Sequence, residues 1–116
     1  MKKIEAGERR QKFVPLLRSM SVQAATMTLK AGESSSEKKE NEHRRCEQWL
    51  LVISGRGIAR VGSRSAPLKK GTLLLIEKGE PHQITNTGSS LLFTINFYAP
   101  PAYSDDGDVL RRASAL

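Results

Sequence analysis

From Val22 onward the chain is cut into short apolar runs rich in β-forming residues, each closed by a turn signal, and this segmentation constrains the fold more than anything else. The runs are VQAATMTLK (22–30), QWLLVIS (48–54), GIARV (57–61), SAPL (65–68), TLLLIE (72–77), HQITN (82–86) and LLFTINFYA (91–99). Between them lie AGESSS, SGRG, VGSR, KKG, EKGEP and NTGSS, all turn or loop compositions. No segment after residue 20 keeps a helical period long enough for a crossover helix, so an all-β sandwich or barrel is expected rather than a parallel α/β fold.

The first twenty residues read less regularly. FVPLL is a candidate edge strand, where Pro15 is tolerated because its missing N–H faces outward. The expected divisions are an N-terminal segment (1–20), one β unit (21–103) and a polar tail (104–116). ESSSEKKENE (33–42) reads as an exposed loop. A chain of 116 residues supports one domain with a modest core, and 38% hydrophobic with 27% charged residues is the balance of a globular chain.

No stretch approaches the roughly 20 apolar residues that cross a bilayer, and the start MKKIEAGERRQKF has no secretory apolar run, so a cytoplasmic protein without membrane association is expected. The single cysteine, Cys46, permits no internal disulfide and agrees with a reducing compartment. Arg44 and Arg45 beside it would favour a reactive thiolate, against the plainer reading of a small residue at a strand start. The net charge of +7 raises nucleic acid as a partner. Against it, the basic residues come in scattered pairs with acids between them, without a helix-turn-helix pattern or interleaved aromatic platforms.

QWLLVIS and TLLLIE are apolar on both faces, although alternation would leave one face polar if it met water. Something must cover the second face. A homodimer burying Trp49, Leu51 or their neighbours is the expected cover, with another layer of the same chain as the alternative.

The stretch from Gly71 to Asn86 runs Gly71, five residues, Glu77, one residue, Gly79, two residues, His82, three residues, Asn86. It resembles the second signature of the cupin superfamily, with Glu77 where that signature has proline. Asn41 to Gly57 resembles the first cupin signature, which places His43 and Gln48 at two ligand positions and Asn41 at a third. The resemblance covers Gly32 to Asn86 and implies an all-β double-stranded β-helix, or jelly-roll barrel, over 21–103. It further implies a pocket lined by Asn41, His43, Gln48 and His82, in which metal-binding members hold Fe, Mn, Ni or Zn with histidines and a carboxylate. Here amides stand at two of the four positions, so the implied set carries no negative charge. Glu47 would supply one at a shifted spacing, but strand parity turns it away if Gln48 faces inward with Leu50 and Val52.

Two histidines are about what chance supplies in such a chain; what marks His43 and His82 is their position in the resemblance. Two functions compete. One is a metal-dependent enzyme acting on a small polar molecule, of the dioxygenase, isomerase or lyase types, with no organic cofactor. The other is a non-catalytic module in which the same pocket hydrogen-bonds a sugar-like ligand without metal. Fold alone does not choose between them.

Overall fold

The structure, a computed structural model, describes residues 1–7, 9–36 and 45–105. Eight strands follow in order: β1 (Phe13–Arg18), β2 (Gln23–Leu29), β3 (Glu47–Ser54), β4 (Gly57–Val61), β5 (Arg64–Leu68), β6 (Leu73–Ile76), β7 (His82–Asn86) and β8 (Leu92–Ala99). They form a five-stranded sheet, β1-β2-β8-β3-β6, and a three-stranded sheet, β5-β4-β7. The pairings are antiparallel. Among the described residues no helix is long and apolar enough to cross a membrane.

Alternation along each strand decides what the two sheets enclose. Met27, Leu29, Leu50, Val52 and Leu92 from the larger sheet meet Ala59, Leu68 and Ile84 from the smaller one in a single buried cluster. Burying side chains of this size contributes about 1.5–3 kcal/mol each, so this cluster is the main cohesive element between the sheets. A second cluster, Ala25, Cys46, Tyr98, Ala102 and Tyr103 with Phe13 packed against it, lies further along the same interior. Gln23 anchors it: its Oε1 accepts from the backbone N–H groups of Ala102 and Tyr103, and its Nε2 donates to the Tyr103 carbonyl at 2.8 Å.

Two glycines are required by geometry. Gly55 has φ +91, and a Cβ there would lie 2.3 Å from the Leu91 carbonyl oxygen. Gly79, with φ +85, turns the chain between β6 and β7.

The expectation of an exposed loop over 33–42 is corrected at its start. Ser34 bridges Thr85, the Ser35 N–H donates to the Ile84 carbonyl at 2.7 Å, and the Gln83 side chain donates to the Ser36 carbonyl at 2.7 Å. Residues 33–36 thus run beside β7 half-buried, because the open edge of β7 offers backbone partners to any chain laid along it. Residues 37–42 lie outside the described residues.

The outer face of the larger sheet is apolar. Trp49 pairs with Leu75 and Phe97, and Leu51 pairs with Leu73 and Ile95. Leu73 is 61% exposed, and Trp49, Leu75 and Phe97 are each more than a third exposed. No second layer of the described chain covers them.

Candidate functional site

β3 carries Gln48 between Leu50 and Cys46, which lies just before the strand, and β8 carries Asn96 and Thr94 between Tyr98 and Leu92. The flanking residues of both sets belong to the two apolar clusters, Leu50 and Leu92 to the first and Cys46 and Tyr98 to the second. Gln48, Asn96 and Thr94 therefore form a polar layer across the interior, with Gln48 opposite Tyr98 and Leu50 opposite Asn96. All three are buried, at 3%, 1% and 0% exposure.

Within the layer Thr94 Oγ1 donates to Asn96 Oδ1 at 3.0 Å, and Asn96 Nδ2 donates to the Tyr98 hydroxyl at 3.3 Å. Gln48 Oε1 is buried without a hydrogen-bond partner. Leaving such a carbonyl unsatisfied costs about 1–3 kcal/mol, a burden that a core built only for stability would avoid by placing an apolar residue there.

His82 opens β7 on the same face as Ile84 and Asn86, which are buried. Its end of the barrel is also that of Gln48: Gln48 pairs with Ile76, the last residue of β6, and residues 77–81 lead directly to His82. His82 Nδ1 lies 3.1 Å from the Glu80 carbonyl, which can only accept, so Nδ1 carries a proton in this contact. Asn86 is structural. Its Nδ2 donates to the carbonyls of Leu29 and Ser90, and its Oδ1 accepts from the Gly88 N–H.

Asn41 and His43 lie outside the described residues, as does Glu42. Glu47 faces outward with Trp49, whose indole Nε1 donates to Glu47 Oε2 at 2.6 Å. No group of three His, Cys, Asp or Glu residues with metal-holding placement occurs among the described residues. Gln48 and His82 offer one amide oxygen and one imidazole, which by themselves do not make a metal set.

Cys46 fits the plainer reading of a small residue just before a strand and not that of a reactive thiolate. Burial pushes its pKa up from 9.0, and the opposing pull of Lys78 is the smaller effect. The thiol packs in the apolar cluster with Tyr98 and Tyr103.

Thr94, Asn96 and Tyr98 did not figure in the sequence reading of the site. The available signal was parity in LFTINFYA, where Thr94, Asn96 and Tyr98 alternate with Ile95 and Phe97.

Residues 25–96 match the profile of the cupin domain family. The protein BH2720 of Bacillus halodurans superposes with a TM-score of 0.78 at 26% identity, over 93% of this chain and 86% of its own. KdgF from a Halomonas species gives 0.68 at 15% identity, covering 81% of this chain and 80% of its own. A predicted oxalate decarboxylase of Thermotoga maritima gives 0.64 at 23%, covering 77% and 79%. Comparison with curated proteins gave no match. Two facing antiparallel sheets, the glycine turn at Gly79 leading into His82, and a profile match spanning most of the strands together make the chain a member of the cupin family.

Proposed function

We propose that this cupin binds a small polar molecule at the Gln48 and His82 end of its barrel, through neutral hydrogen-bonding groups. The observation that carries this reading is the buried, unpartnered Gln48 Oε1 in the polar layer with Asn96 and Thr94. A ligand N–H or O–H, or a water bridging to it, supplies the missing donor. His82 adds an imidazole at the same end, and His43 and Asn41 belong to the pocket on the sequence reading alone.

A divalent transition ion (Fe, Mn, Ni or Zn) in the same place is the second reading, favoured by the His82 tautomer, since Nδ1–H bonding to a carbonyl is the usual support for an Nε2 ligand. The dioxygenase, isomerase or lyase chemistry that goes with an ion depends on that reading. The absence of an inward carboxylate among the described donors weighs against it, because a neutral set holds a dication less tightly.

The exposed outer face of β3, β6 and β8 is assigned to a homodimer. Its exposed side chains, Trp49, Leu73, Leu75 and Phe97, lie on adjacent strands, the kind of contiguous apolar patch that a second copy buries. The unpaired Cys46 suits a reducing, cytoplasmic setting.

The test is metal analysis of protein purified without chelator, together with a thermal-shift screen of sugars and small polar acids on the wild type, Gln48→Leu and His82→Ala. A stabilising ligand lost in both variants, with substoichiometric metal, supports the first reading. Near-stoichiometric metal supports the second. Ligand responses that neither variant alters overturn the pocket.

A further inference from the structure

The two sheets leave a cleft between their edge strands, β5 of the smaller sheet and β6 of the larger. It encloses about 230 Å³. Ala59, Val61 and Leu74 give it an apolar floor, with Arg64 on the β5 side and Glu77 and Glu80 on the side that follows β6. Neither Gln48 nor His82 lines it, although it adjoins the pocket proposed above through Val61, the register partner of His82, and Glu80, whose carbonyl meets His82 Nδ1.

The charges decide what the cleft can take. Arg64 makes no ion pair with Glu77 or Glu80, and the ion pairs found among the described residues are Lys3 with Glu5 and Lys12 with Glu33. Glu80 Oε1 is engaged by the Glu77 N–H at 2.8 Å, which holds the Glu80 side chain in place. A guanidinium on one wall and two carboxylates on the other, unpaired across an apolar floor, match a molecule with an anionic end, a cationic end and an apolar body. The volume lies below the roughly 300–1,000 Å³ of pockets for larger ligands, which excludes a nucleotide or an oligosaccharide. We infer that this cleft is a binding site for a small apolar zwitterion of the amino acid class, its carboxylate on Arg64 and its ammonium on Glu77 and Glu80.

The test follows amide resonances of the full chain during titration with L-leucine, with 3-methylbutylamine, which lacks the carboxylate, and with 4-methylpentanoate, which lacks the ammonium. Leucine is expected to shift Ala59, Val61 and Leu74 with a Kd of about 1 mM. Each fragment should bind about threefold to fivefold more weakly, the scale of a solvent-exposed ion pair. Arg64→Gln should bring leucine to the level of the amine, and Glu77→Gln combined with Glu80→Gln to the level of the acid. All three substitutions are at cleft-rim positions, and unchanged melting temperatures of the two variants will show that the fold is kept. Leucine binding no better than either fragment, shifts absent from these residues, or an Arg64→Gln chain that still prefers leucine to the amine each overturn the assignment.

Discussion

The indole Nε1 of Trp49 donates to Glu47 Oε2 at 2.6 Å on the outer side of β3, so the carboxylate next to Gln48 in sequence is turned away from the interior. The strand's own alternation imposes this: Gln48, Leu50 and Val52 are buried, while Trp49 is exposed. Substituting Glu47 should therefore leave pocket binding of ligand or metal unchanged. Glu47→Gln keeps an acceptor for the indole, and calorimetric titration of the variant should overlay that of the wild type.

Gln48→Glu separates the two readings of the pocket by sign. Without an ion, the new carboxylate is buried unpaired, its pKa rises and the chain loses about 1–3 kcal/mol near neutral pH, recovering stability as the pH falls and the group protonates. With an ion, the same change supplies a charged oxygen, and Zn or Mn should bind about tenfold or more tightly, a gain of about 1.4 kcal/mol. Melting temperatures with and without metal, at pH 5 and pH 7.5, report which occurs. A lowered melting point at neutral pH with unaltered metal affinity removes Gln48 as a ligand.

Leu73→Glu and Phe97→Glu test the dimer, since each places a charge in the exposed apolar face without disturbing the interior. Sedimentation at micromolar concentration should show about twice the chain mass for the wild type and one chain for either variant. A wild type that sediments as a single chain rules out the homodimer.

Cys46 sets an alkaline limit. Burial raises its folded pKa above that of the unfolded thiol, so its contribution to stability is fully present below about 9 and is lost as pH rises toward the folded value. Chemical denaturation between pH 8 and pH 10.5 should show a decline that Cys46→Ala reduces. Alkylation by iodoacetamide at pH 8 should be slow in the native chain and rapid in denaturant.

Asn86→Ala removes three hydrogen bonds that tie β7 to the end of β2 and to the turn before β8. The expected cost is about 2–4 kcal/mol, lowering Tm on the order of 10 °C. The polar layer is untouched, so binding at Gln48 should persist below the new Tm. A Tm within a degree of the wild type would show that water replaces the side chain.

The all-β architecture was legible because strand runs and turn residues are local: seven apolar runs mark β2 to β8, and Gly79 provides the positive φ that the approach to His82 needs. Parity within one strand also fixed which way Gln48 and Glu47 point. Only the tertiary structure decided what lies opposite each face. Register brings Gln48 beside Tyr98 and leaves its Oε1 unsatisfied between two apolar clusters, and the open edge of β7 gathers the polar residues 33–36 that read as loop. These are pairings between residues tens of positions apart, set by sheet order and inter-sheet packing, and no local pattern of side chains encodes them.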